Sequence, residues 1–100
     1  MPTIIPTPVQ SRRIPFGCKV GVRRKMDAYR LVLLRDLSLQ GCSIELVDRV
    51  TIREILWVRF PGIEARQGVV SWEKDFSCGI EFDTPFHPAV MDMLVTRLTG

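Results

Sequence analysis

The sequence carries one histidine and three cysteines in 100 residues, and that scarcity limits its chemistry. His87 alone cannot build a common metal site, and no cysteine or serine stands beside it in an arrangement for nucleophilic work. No catalytic or metal centre is expected. Cys18, Cys42 and Cys78 are odd in number, widely spaced and free of any Cys-x-x-Cys pair, so neither a disulfide framework nor a zinc site is indicated. All three are expected as small buried hydrophobes in a reducing cytoplasm. No run approaches the roughly 18 apolar residues that span a bilayer. The opening Met1-Pro-Thr-Ile-Ile-Pro-Thr-Pro8 lacks the charged start and long apolar centre of a signal peptide. Internal repeats and low-complexity segments are absent too.

What is present fits one ordinary globular domain with a single modest core: 46% of residues are hydrophobic and 25% charged. The net charge of +3 and a pI near 9.1 suit an anionic partner without demanding nucleic acid. Pro2, Pro6 and Pro8 oppose a helix, so residues 1–10 read as a flexible extended tail. The domain then occupies 11–100.

Strand signals follow one another at hairpin spacing. Phe16 to Val22 begins the first strand, Arg23 to Asp27 forms an exposed connection, and Tyr29 to Arg35 returns. From Cys42 to Val47, Cys42, Ile44 and Leu46 alternate with Ser43 and Glu45, the period of a sheet with one wet face. Leu56, Val58 and Phe60 repeat that pattern before a turn at Pro61-Gly62. Glu64 to Trp72 makes a fifth strand, Lys74-Asp75 a turn, and Cys78, Ile80 and Phe82 mark a sixth. With no crossover helices, a parallel sheet is excluded and an antiparallel barrel or sandwich is expected. Pro88 suits a first helical turn, and Met91, Leu94, Val95 and Leu98 form one apolar stripe. This short C-terminal helix is expected to plug one barrel opening.

Binding chemistry concentrates in few places. Asp36-Leu-Ser38-Leu-Gln-Gly41 puts a carboxylate, a hydroxyl and a glycine on one turn between strands. A carboxylate accepts paired N–H bonds from a planar base edge, and glycine lets the backbone turn sharply, so the loop suits a guanine-like ligand. The same residues also dominate ordinary turns. Arg12 and Arg13 stand at the hinge between tail and first strand, where a guanidinium can form bidentate bonds to phosphate or to guanine. They also suit a solubilised linker. Trp72 shares a face with Gly68 and Val70 by alternation, and can be core or a flat edge for a base. The acidic pairs Glu45 and Asp48, and Glu81 and Asp83, read as solvating residues.

Arg13-Ile-Pro-Phe16, Asp36-x-Ser38-x-x-Gly41, Gly68-Val-Val-Ser-Trp72 and Gly79-Ile-Glu-Phe82, in that order, resemble a PilZ domain. The resemblance spans Ser11 to Leu98. It implies an all-β fold, a six-stranded antiparallel β-barrel with a short C-terminal helix, serving as a non-enzymatic bacterial receptor for cyclic di-GMP. In that family the arginine segment wraps the ligand and the Asp-x-Ser-x-x-Gly loop recognises a guanine. The resemblance makes Arg13, Asp36, Ser38 and Gly41 the expected ligand contacts, with Arg12 as an assisting neighbouring charge, Trp72 as a further candidate from its flat ring, and no cofactor. Family binders usually carry two arginines four residues apart. If Arg13 is the second, the first position falls on Val9, and adjacent Arg12 points to the other side of an extended segment.

Two readings follow: a cytoplasmic receptor relaying nucleotide binding to a protein in motility, adhesion or exopolysaccharide control, or an interaction module without nucleotide affinity. Binding of single-stranded nucleic acid is not expected, because the strands lack a row of exposed aromatics interleaved with basic residues.

Overall fold

The computed structural model describes residues 12–13, 18–46 and 48–99. The tail expected over 1–10, Val9, the strand start at Phe16 and the strand end at Val47 lie outside the described residues. The strands are β1 (Arg12–Arg13), β2 (Lys19–Arg24), β3 (Arg30–Leu37), β4 (Gly41–Glu45), β5 (Ile55–Arg59), β6 (Arg66–Lys74) and β7 (Ser77–Phe82), followed by helix α1 (Pro88–Thr99).

Short connections force β2–β3, β3–β4, β5–β6 and β6–β7 to run antiparallel, and the pairings between strands distant in the chain, β1–β3, β2–β5 and β4–β7, are antiparallel as well. The order β3-β2-β5-β6-β7-β4 closes through a β4–β3 pairing into a six-stranded barrel. In this ring β2 stands opposite β7, and β5 opposite β4. β1 lengthens the wall: it pairs with β3 beyond the point where β2 leaves it. The β6–β7 hairpin turns on Asp75 and Phe76, both at positive φ (52° and 62°), as a two-residue primed turn requires. Lys74 is still paired with Ser77, so the turn falls one residue later than the sequence pattern places it.

Alternation sends one apolar set from each strand inward. Val20, Val22, Leu34, Ile44, Leu56, Val58, Phe60, Val70, Cys78, Ile80 and Phe82 form a continuous core with Met91 and Leu94 of α1. Phe60, Phe82 and Phe86 pack edge-on with centroids 4.9–6.0 Å apart, which seats the helix against the barrel end. The Cys18 thiol donates to the Leu98 carbonyl at 3.0 Å, tying the helix C-terminus to the approach to β2.

Two cysteines match the buried expectation and one does not. Cys42 and Cys78 are buried, whereas Cys18 is only half-buried. Burial pushes the Cys42 thiol far above its ordinary range, with Cys78 nearby adding to it; Cys78 itself is pushed up to about 12 by burial and then by Glu73 and Glu54. Neither is poised as a nucleophile.

Away from the helix, Arg24 at the end of β2 forms a fork on Glu54: Nε donates to Oε2 at 2.6 Å and an NH2 group to Oε1 at 3.0 Å. The backbone N–H of Thr51 also donates to Glu54 Oε1. Burial acts to raise the Glu54 carboxyl, but the Arg24 hydrogen bonds, the Thr51 N–H and the Arg24 charge outweigh it and hold it below the usual carboxylate range.

Candidate functional site

Residues two apart in a regular strand face the same side. Leu34 and Asp36 do not, and neither do Val70 and Trp72. In β3, Leu34 pairs with Ile44 and Asp36 with Ser43, so Arg35 is an extra residue; in β6, Val70 pairs with Ile80 and Trp72 with Gly79, so Ser71 is extra. Each bulge reverses the phase of the residues beyond it. Leu34 and Val70 therefore enter the core at 3% and 1% exposure, while Trp72 emerges at 45%. The two bulged stretches deliver Asp36 and Trp72 to the same outer surface.

That surface is an open groove of about 860 Å³ over the ends of β3 and β4 and across β6 and β7. Asp36, Ser38, Gly41, Ser43, Ser71, Trp72 and Glu81 are among its walls. Four of the residues singled out in the sequence thus meet in one depression. Asp36 lies within β3 rather than on the loop, and the Ser43 hydroxyl donates to its Oδ2 at 2.9 Å. Ser43 is 9% exposed, so this bond fixes the carboxylate in a partly desolvated position.

Ser38 and Gly41 serve the loop's shape. The Ser38 N–H donates to the Gly41 carbonyl at 2.8 Å, the Ser38 hydroxyl donates to the same oxygen at 3.2 Å, and the Gly41 N–H donates back to that hydroxyl at 3.1 Å. Loop carbonyls of Leu39 and Gln40 then accept from Phe86 and Phe82, locking the turn onto the barrel end. Gly41 opens β4, and its need for glycine is not the sharp turn expected. A Cβ there would overlap the Ile80 carbonyl of β7, so the missing side chain is what lets β4 and β7 pair.

Gly79 plays the same part for Trp72. A Cβ at Gly79 would overlap the indole ring at Nε1, Cδ1 and Cε2, so the ring lies on bare backbone and its position is set from below. The Ser71 hydroxyl bonds to the Gly79 carbonyl at 3.3 Å, tying the bulge to the same strand. Ser43, Ser71 and Gly79 were not legible as site residues, because Ser43 and Gly79 fall in ordinary alternating positions and neither Arg35 nor Ser71 advertises a bulge.

β1 brings the arginine segment to this groove. Arg13 is in register with Asp36, and Arg12 with Leu37. The pair forms a strand rather than an unattached hinge. Among the described residues the groove walls include the carboxylates of Asp36 and Glu81 and neither lysine nor arginine. His87, the lone histidine, is occupied at the helix start, where its Nδ1 accepts from the Ala89 N–H at 3.1 Å. Among the described residues no cluster of side chains could hold a metal ion, and no helix is long and apolar enough to cross a membrane.

The family described as the PilZ domain matches residues 9–100. No curated protein matches the chain.

Proposed function

The chain belongs to the PilZ domain family, and from that premise we propose that it is a bacterial cytoplasmic receptor for cyclic di-GMP, bound between β1 and the groove over β4 and β7. The observation that carries this reading is the register of Arg13 against Asp36. With carboxylates and no cation among the described groove walls, the arginines of β1 are the groups that would neutralise an anionic ligand.

The division of labour follows from the chemistry of each residue. The Asp36 carboxylate, oriented by Ser43, accepts the paired N–H donors of a guanine edge. Ser38 and Gly41 hold the loop that frames it. Trp72, resting on Gly79, offers a flat apolar surface to a base. Arg13, with Arg12 beside it, supplies guanidinium donors to the phosphates. Clamping changes the surface around β1, and the output is contact with a protein partner in motility, adhesion or exopolysaccharide control. No step makes or breaks a covalent bond.

Val9 at the position of the first family arginine supports the second reading, a protein-interaction module without nucleotide affinity. Titration calorimetry with cyclic di-GMP separates the two. Saturable heat that weakens more in Arg13→Ala than in Arg12→Ala, with Arg13→Lys recovering only part of the loss, supports the receptor, because an ammonium cannot form the planar fork. No heat at millimolar nucleotide selects the interaction module.

A further inference from the structure

On the opposite side of the barrel, the outer faces of β2 and β5 carry a second constellation. Arg23 pairs with Trp57 and Gly21 with Arg59 across these strands. The Arg59 guanidinium lies 3.9 Å from the centroid of Tyr29, and that of Arg23 lies 4.2 Å from Trp57 and 5.6 Å from Tyr29. Two like charges are therefore gathered around one phenol ring. Among the described residues neither forms an ion pair, while Arg24, Arg30, Arg35 and Arg49 all do. Arg23 makes a single 3.4 Å bond to the Arg24 carbonyl.

Guanidiniums stacked on rings keep their N–H edges directed outward and lose little freedom on accepting a carboxylate, since the stack has already fixed their planes. β2 and β5 contain no acidic residue, and Lys19 adds a third cation to this wall. Beside them runs an open groove of about 770 Å³, with Lys19 and Arg59 at its sides, Leu31 and Ile63 among its apolar residues, and Glu64 as the one carboxylate among its described residues. Leu31 is 74% exposed and Ile55 41%. Cations flanked by exposed aliphatic groups match a chain that carries both carboxylates and apolar side chains. A bare phosphate would leave the aliphatic residues uncovered. A nucleic-acid base finds both rings already stacked under arginine.

We infer that the outer β2–β5 face, built on Arg23, Tyr29, Trp57 and Arg59, is a docking surface for an acidic, leucine-containing segment of a partner protein. The inference is independent of nucleotide binding, because β2 and β5 face away from β7 and β4. The chain holds two tryptophans, Trp72 in the first groove and Trp57 on this face, and their indole N–H resonances report the two sites separately.

The test is an NMR titration of the full chain with a synthetic peptide of about ten residues, glutamates interspersed with leucines. The same peptide with lysine for glutamate and an oligothymidylate serve as competitors, and Trp57→Phe and Trp72→Phe assign the resonances. The acidic peptide should shift the Trp57 resonance and leave that of Trp72 in place. The Arg23→Glu/Arg59→Glu double variant should weaken it by about tenfold or more, and Arg23→Gln/Arg59→Gln keeps the readout if charge reversal prevents folding. The effect should fade as salt rises. No Trp57 shift at millimolar peptide, a shift unchanged in both double variants, or displacement by the oligothymidylate each overturns the assignment. Cyclic di-GMP is read on Trp72 in the same samples, so failure of the nucleotide reading leaves a different trace.

Discussion

Single atoms decide the site at the residue scale. Asp36 is held by Ser43 at 2.9 Å, so Asp36→Ala should weaken cyclic di-GMP binding by about 1–3 kcal/mol, the loss attached to a charged hydrogen bond. Calorimetric titration of the two proteins measures it, and curves that overlay remove Asp36 from the site. The two close-approach glycines should give opposite signatures. Gly41→Ala sets a methyl group against the Ile80 carbonyl and should cost about 1–3 kcal/mol of stability as an overpacked contact. Gly79→Ala meets first the exposed indole of Trp72, which can tilt away into solvent. Its stability should therefore stay within about 0.5 kcal/mol of the parent, while nucleotide affinity falls. Urea unfolding beside binding titrations distinguishes the two.

Elements carry the part of the design that sequence patterns reach least well. The six strands and the helix were legible because Leu56-x-Val58-x-Phe60 and Cys78-x-Ile80-x-Phe82 alternate without interruption, and because Met91, Leu94, Val95 and Leu98 repeat at helical spacing. Asp36, Ser38 and Gly41 were legible as a group through their spacing and the family they resemble. The facing of Trp72 was not. Alternation puts it on the face of Val70 and leaves core or outer edge open, and only the register shift at Ser71 separates the two and turns Trp72 out. The pairing of Arg12 and Arg13 with β3 was equally hidden, since a two-residue strand has no period. Removing the bulge tests its role: with Ser71 deleted, Val70 still pairs opposite Ile80 and Trp72 opposite Gly79, so both keep their faces while the local twist relaxes. The deleted protein should fold with Trp72 still open to acrylamide quenching. A quenched-out, buried Trp72 would mean that the strand slipped instead.

For the whole molecule, closure of the ring makes stability sensitive to the Arg24–Glu54 pair, which binds the end of β2 to the segment entering β5. Glu54 has its carboxyl held below the ordinary range, so the folded state binds a proton there less readily than the unfolded chain. Its stabilisation is complete above the ordinary carboxylate pKa and is lost as pH falls through the lower, folded value. Unfolding midpoints measured from neutral pH down to about pH 3 should fall less steeply in Glu54→Gln than in the parent; parallel slopes would remove Glu54 as a source of acid sensitivity. The same closure bears on how the protein behaves in crowded company. Among the described residues the closed ring leaves little strand edge open to neighbours, and where β3 outruns β2 its residues Asp36 and Leu37 are paired with β1. An uncovered strand edge is a template for another chain. Truncation before residue 17 should thus leave a folded barrel that self-associates with concentration, detected by light scattering, whereas the full chain stays monodisperse. On this view the arginine strand shields the barrel from aggregation whatever it does for a ligand, and a partner that pulls it away must itself cover the exposed backbone or leave the barrel sticky.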